Sequence, residues 1–328
     1  MSGTGMSGAG MSGAAMVGLG VFRPRRVVGN DEICRVLDSS PEWIVRRTGI
    51  STRRFAQADE TLAEMAATAG EKALADAGAS PAEVDRVIIA TMSHVGDDPV
   101  DLPSAVAARM GVRAPAVQVS AACSGFAVAL RLAADAVTAG GARTALVIGV
   151  ERMSDLLDPT DRSTAFIFSD GAGAVLVAAS RRPQIGPAVM GGQPSLAEAI
   201  TVRCRPELPD RGPVIRMQGP TVFRWALTEL PGVVGQILDG AGLTAGEVDA
   251  FIPHQANLRI IDAVAQSTGL GGVVVARDIV EQANTSAASI PLAMERMRSS
   301  GQVKRGDLAL LLGFGAGLSY AGLLATLP

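Results

Sequence analysis

The chain has 328 residues, 48% hydrophobic and 19% charged, with a net charge of −3 and only 3% aromatic residues. Such a length and apolar content fit one large or two fused globular units and exclude a disordered chain. The slightly acidic balance and the scarcity of aromatics argue against a nucleic-acid binder, which needs basic surfaces and stacking platforms. Lys72 and Lys304 are the only lysines among 29 basic residues. Both lie in polar stretches, which disfavours chemistry through a Schiff-base lysine.

The opening "MSGTGMSGAGMSGAA" repeats Met-Ser-Gly without the basic and long apolar regions of a signal peptide. It is expected to be a disordered leader over residues 1–15, or upstream sequence before a start near Met16. Next come a helix at Thr61–Ala77 and strands at Arg86–Thr91 and Ala116–Val119. A helix at Ser124–Ala139 and strands at Thr144–Val150 and Ala174–Ala178 follow. "RCRPELPDRGP" reads as loop. Beyond it the pattern predicts helices at Val222–Ala241, Leu258–Thr268 and Ser286–Ser299, and strands at Ala250–Pro253 and Leu308–Gly313. This alternation predicts an α/β fold with helices over a sheet. The uncharged stretch Leu308–Pro328 has the length of a membrane span, but its central glycines favour two buried strands joined by a loop. Cys34, Cys123 and Cys204 show no CxxC and no metal-ligand spacing; an odd count without a secretory signal points to a reducing cytoplasm and to no metal.

The halves resemble each other. "LADAGASPAEVDRVI" from Leu74 aligns without gaps on "LDGAGLTAGEVDAFI" from Leu238, with seven of fifteen positions identical. At the same offset of 164, "TALVIG" from Thr144 falls on "LALLLG" from Leu308. The expected organisation is two fused copies of one unit, residues 16–182 and 183–328.

Cys123, in "QVSAACSGFAVAL", sits between an apolar strand and the start of a helix. There it is either a small packed hydrophobe or a nucleophile whose thiolate is favoured by the helix N-terminus. His254, one of two histidines, follows the strand in "FIPHQANLR", whose carboxyl end should face the same crevice. Asn284, in "ANTSAAS", opens another helix, where Asn is also a favoured N-cap. Cys123 falls opposite Ala287 in the repeat, so the three side chains should converge on one pseudo-twofold crevice.

Together, "SAACSGF", "PHQANLRIID" and "NTSAASIPLAM" resemble the Cys, His and Asn motifs of β-ketoacyl-acyl-carrier-protein synthase III. "PEWIVRRTGI", "DPTDRSTAFIFSDGAGA" and "GFGAGLSYAG" extend the likeness from about Met16 to Pro328, and the last looks most like actinomycete members. The resemblance implies an α/β thiolase fold whose two mixed-sheet halves pack as an α-β-α-β-α sandwich. It also implies a cytoplasmic homodimer without a permanently bound cofactor and without nucleic-acid or membrane partners. Its implied reaction is a decarboxylative Claisen condensation of an acyl-CoA primer with malonyl-acyl-carrier-protein, starting fatty-acid or polyketide chains. Cys123 would carry the acyl group, and His254 and Asn284 would stabilise the enolate. Ala316 would serve the oxyanion hole, with Phe314 beside the departing carboxylate. Trp43 and Arg162 would sandwich the CoA adenine, Arg47 and Thr48 contact the base, and Asn257 approach the pantetheine. Arg224 and Arg259 would dock the carrier protein. The alternative is an acyltransferase of the same fold that moves the acyl group to an O or N acceptor without condensation.

The sequence departs from the family pattern in "SHVGDDPVDLPS", where Asp97, Asp98 and Asp101 replace the apolar residues that cap the partner's acyl pocket. Either these acids point to solvent while Val100 or Leu102 closes the pocket, or the primer is not a plain aliphatic group. Ala283 stands where Gly commonly precedes Asn-Thr-Ser. Gln266 and Ser267 replace docking lysines.

Overall fold

The computed structural model describes residues 13–93, 100–204 and 212–328. Its first strand, β1 (Gly13–Phe22), corrects the expected leader boundary. Gly13, Ala14 and Ala15 pair with Ser180, Ala179 and Ala178, and both alanines are buried. The rest of the proposed leader lies outside the described residues. The small side chains of β1 reflect close packing: a Cβ on Gly18 or Gly20 would come within 2.2 or 2.3 Å of backbone atoms of Ala73.

A small ribbon follows, β2 (Arg26–Gly29) with β3 (Thr52–Phe55), enclosing α1 (Asn30–Ile33) and α2 (Pro41–Thr48). The Ser40 side chain caps α2 by accepting the Trp43 N–H at 3.2 Å, and Gly49, at φ 80°, ends it. The first half continues with α3 (Leu62–Ala77), β4 (Val87–Ala90), α4 (Leu102–Met110), β5 (Ala116–Val119), α5 (Gly125–Thr138), β6 (Thr144–Arg152) and β7 (Asp170–Ser180). The second half begins with β8 (Val189–Gly192), the ribbon of β9 (Ile200–Cys204) and β10 (Pro213–Met217), and α6 (Gly219–Ala241). Then come β11 (Ala250–Pro253), α7 (Leu258–Ser267), β12 (Val274–Val275), α8 (Ile279–Gln282), α9 (Ser289–Ser299), β13 (Leu308–Gly315) and β14 (Ser319–Thr326). The apolar closing stretch is thus two paired strands, covered on both faces. Among the described residues no helix is long and apolar enough to cross a membrane.

The two five-stranded sheets have the same plan, β1-β7-β6-β4-β5 and β8-β14-β13-β11-β12. In each, four strands run in one direction and one, β7 or β14, runs antiparallel between its neighbours. One apolar cluster joins α5 and α9 to both sheets. A second places α3 and α4 outside the first sheet, and a third places α6 and α7 outside the second. The layers are therefore α-β-α-β-α.

The offset of 164 persists in fine detail. Ser80 with Glu83 and Thr244 with Glu247 form equivalent capping boxes. Ala122 and Ser286 share the left-handed backbone, φ 44° and 46°. Equivalent glycines let the halves touch. A Cβ on Gly149 would be 2.5 Å from the Ala287 carbonyl oxygen, and one on Gly313 would be 2.8 Å from the Ser124 Cα.

A chain begun at Met16 loses three paired residues of β1 and two buried methyl groups. We expect it to be less stable by on the order of 2–3 kcal/mol, measured by denaturant unfolding against the full chain. Equal stability would show that the Gly13–Ala15 pairing contributes nothing.

Candidate active site

Cys123 lies in a 3-10 turn, Ala122–Ser124, between β5 and α5, with its side chain buried. Gly315 of β13 faces it so closely that a Cβ there would lie 2.8 Å from the sulfur. Burial pushes the thiol up to about 11, against the nearby Ser286 hydroxyl and the backbone N–H groups of Ala316 and Cys123 itself; the nearby Glu151 charge adds to the rise. The helix N-terminus favours a thiolate, one of the two readings that the sequence leaves open. In the structure desolvation outweighs that help, and the resting group is a thiol.

His254 follows β11. Its backbone N–H donates to the Leu312 carbonyl at 2.7 Å, and its ring meets Phe314 edge-on with centroids 5.3 Å apart. Nδ1 lies 2.6 Å from the Ser289 Oγ, which also accepts the Gln255 N–H at 3.3 Å. When Ser289 donates its proton to Nδ1, the hydrogen of the neutral ring stands on Nε2. Burial holds the imidazole down to about 3.

Asn284 is fixed by its own backbone: its N–H donates to Ile167 at 3.0 Å and its carbonyl accepts from Ser169 at 2.9 Å. Oδ1 accepts the Ser286 N–H at 2.9 Å, closing the turn into α9. That bond identifies the oxygen and leaves Nδ2 as a donor at the cavity wall.

A cavity of about 730 Å³ joins these residues to a mouth at the surface, and all twelve residues singled out from sequence line it. Ala316 and Phe314 flank Cys123 and His254. At the mouth the Arg162 guanidinium stands 5.7 Å over the Trp43 ring and pairs with Asp38 at 3.2 Å. The Arg47 carbonyl accepts from Asn257 Nδ2 at 3.1 Å, and Asn257 Oδ1 caps α7 through the Arg259 N–H. Thr48 reaches the lining but is buried. Its hydroxyl donates to the Ile44 carbonyl and accepts the Ile50 N–H, so its main task is to close α2. Arg259 lies over Phe223 at 5.2 Å, and Arg224 is exposed; among the described residues neither makes an ion pair with an acid. Among the described residues no cluster of three or more His, Cys, Asp and Glu could hold a metal.

The aspartate question is partly answered. Asp101 caps α4, accepting the Ser104 N–H at 3.0 Å and hydroxyl at 2.8 Å, which hold its carboxyl below the usual range. It is exposed, and Leu102 is buried in the core beneath α4. Asp97 and Asp98 lie outside the described residues.

The sequence reading missed Glu151, Ser286 and Ser289. Glu151 is wholly buried and accepts from the Ser93 hydroxyl at 2.6 Å and N–H at 3.0 Å, Thr91 Oγ1 at 3.2 Å, Met92 N–H at 3.2 Å and Ala287 N–H at 3.4 Å. Burial still raises its carboxyl to about 7. A single acid ending the apolar run "TALVIGVER" was the available signal; nothing local marked the two serines.

Two family profiles match the chain, described as 3-oxoacyl-[acyl-carrier-protein] synthase III over residues 117–194 and its C-terminal part over residues 238–327. A β-ketoacyl-[acyl-carrier-protein] synthase III of Streptomyces glaucescens is 48% identical over 318 residues, covering 95% of each chain. The chain belongs to the β-ketoacyl-acyl-carrier-protein synthase III family. Among solved structures, the priming β-ketosynthase of a polyketide pathway superposes with a TM-score of 0.92 at 45% identity, covering 96% of each chain. The synthase III of Aquifex aeolicus gives 0.89 at 38% identity, covering 96% of this chain and all of that one. These neighbours confirm the thiolase fold and an acyl-transferring enzyme.

Within this synthase III frame Ala283 is strained, at φ 55° and ψ −161°, a region that essentially only glycine occupies. Ala283→Gly should therefore stabilise the protein by roughly 1 kcal/mol, net of the added freedom of the unfolded chain. Unfolding curves that show a loss would refute the strain.

His254 supplies a pH test. Its folded value lies below the unfolded 6.5, so below pH 6.5 the unfolded state binds the extra proton and native stability falls towards pH 3. The stability difference between wild type and His254→Gln should thus shift towards the variant by about 1.4 kcal/mol per pH unit below 6.5. A pH-independent difference would mean the ring is not held neutral.

Proposed function

We propose that this chain is the initiating condensing enzyme of a fatty-acid or polyketide pathway, joining an acyl-CoA primer to malonyl-acyl-carrier-protein through an acyl-cysteine. The observation that carries this reading is the shared cavity floor: one thiol, one imidazole N–H and one amide N–H, below a mouth lined by an aromatic ring and arginines. The primer thioester enters past Trp43 and Arg162, and Arg47, Arg224 and Arg259 offer positive charge to a phosphate-bearing arm or an acidic carrier protein. Cys123 attacks the carbonyl, whose developing oxyanion accepts from the N–H groups of Cys123 and Ala316. CoA leaves and the malonyl thioester takes its place. His254 Nε2 and Asn284 Nδ2 then donate to the thioester oxygen as CO₂ departs, and the carbanion attacks the acyl-cysteine.

The low proton affinity of His254 suits this step, because a neutral donor stabilises the enolate without protonating it. Phe314 offers an apolar edge where a carboxylate loses its charge. Soluble CoA substrates place the reaction in the cytoplasm and require no resident cofactor. The edge strand β5, with Val117 exposed at 46%, supports pairing with a second copy.

Intact-mass measurement with a panel of acyl-CoAs, followed by malonyl-acyl-carrier-protein, tests the assignment. The wild type should gain an acyl mass that Cys123→Ala lacks, then discharge it as a β-ketoacyl product. His254→Ala and Asn284→Ala should still acylate but condense about 10²–10³-fold more slowly. An adduct that only an alcohol or amine discharges would establish the O- or N-acyltransferase instead.

A further inference from the structure

The acylation step leaves a proton unassigned. Cys123 is a buried thiol at rest, and forming its thioester requires the sulfur to shed hydrogen. His254 is a poor acceptor for it, since its buried ring is held down to about 3 and lies against Ser289 at Nδ1. Around the sulfur the described residues offer one other acceptor. Glu151 is a fully buried carboxylate with five neutral donors and no cationic partner. Ser286 directly precedes Ala287, whose N–H meets Glu151 at 3.4 Å, and its buried Oγ, without a hydrogen bond of normal geometry, is near enough to favour the charged form of both Glu151 and Cys123. Ser286 is held there by a left-handed backbone, φ 46°, and by the Asn284 Oδ1 bond to its N–H. A strained residue with a buried, unpartnered hydroxyl near both a thiol and a carboxylate has the form of a relay.

We infer that Glu151, acting through the Ser286 hydroxyl, holds the Cys123 proton while the acyl group is transferred. This rests on the reading of Cys123 as the acyl acceptor. As the sulfur bonds to the thioester carbon, its proton passes to Ser286 Oγ and the Ser286 proton passes to Glu151. When the tetrahedral intermediate collapses, the carbon–sulfur bond to CoA breaks and the proton returns along the same path to the leaving thiolate. Glu151 ends as the carboxylate it began as, no new charge is left in the buried floor, and no co-reactant is consumed.

The groups facing Glu151 leave this path free. The segment after β4 contributes Thr91 and Ser93, and the turn before α9 contributes Ser286 and the Ala287 N–H; none of these ionises. On β6 the Arg152 guanidinium turns to Asp155 at 3.1 Å. Asp170 of β7 is engaged by Ser154 and the Ala56 N–H. Cys123 is the ionisable neighbour that responds to the Glu151 charge, whereas the shift of His254 comes from burial alone.

The test is the single-turnover rate of Cys123 acylation by acetyl-CoA, read by intact mass between pH 5.5 and 9.5. In the wild type the rate should rise through one titration near pH 7 and level off. Glu151→Gln should lose that step and acylate at least about 10²-fold more slowly at pH 7, while Glu151→Asp restores the step in part. Ser286→Ala, which leaves every other Glu151 bond in place, should slow acylation by about tenfold or more with the step retained. That variant and the wild-type profile decide the matter even if Glu151→Gln fails to fold. A wild-type profile without the step, a Ser286→Ala rate equal to wild type, or a Glu151→Gln loss constant across pH would overturn the inference while leaving the acyl-cysteine intact. A wild type that no CoA thioester acylates would instead remove the underlying reading, and the relay with it.

Discussion

Two backbone contacts set the geometry of everything else. Gly149 of β6 presses on the turn at Ala287, and Gly313 of β13 presses on the turn at Ser124, each glycine the counterpart of the other in the repeat. Because neither glycine has a side chain, the start of each buried helix can rest directly on a strand of the opposite half. The cavity floor is the seam these contacts make: Cys123 arrives on one helix start, Asn284 precedes the other, and His254 stands at the end of the strand beside β13. A single methyl group at either glycine would hold the seam apart by more than the tolerance of hydrogen-bonded chemistry.

Once assembled, the floor is governed by desolvation. Burial raises the Cys123 thiol, raises the Glu151 carboxyl and lowers the His254 imidazole, so each group is pushed towards its neutral form. Charge is then expensive at rest, which suits the proposed reaction, where it is created only as bonds change and N–H donors meet it. The mouth has the opposite character. Among the described residues Arg47, Arg224 and Arg259 there make no ion pair, meet solvent and can greet an anionic ligand before its reactive end is dehydrated.

Much of this was legible in the chain. The alternation of apolar runs located most strands and helices, and the offset of 164 announced two copies of one plan. The Cys, His and Asn motifs named the floor because each is carried by a short segment whose place is fixed by a strand or helix end. Other features were hidden for physical reasons. β1 is built of glycine and alanine so that α3 can lie close, and such a composition imitates a flexible leader. Ser289 matters only because α9 folds back beneath His254, a relation 35 residues apart in sequence. The helix-end argument for an acidic thiol was sound in sign, but burial of the same turn proved the larger effect.

The Ala287 N–H, counterpart of the Cys123 N–H, is already occupied by the Glu151 carboxylate. At these two helix starts the pseudo-twofold relation is therefore one of backbones alone. One helix start has an open electrophilic socket and the other is filled by an internal anion, so duplication has produced a single working side. The floor consequently has a polarity, and a thioester descending the cavity finds only one way to lie.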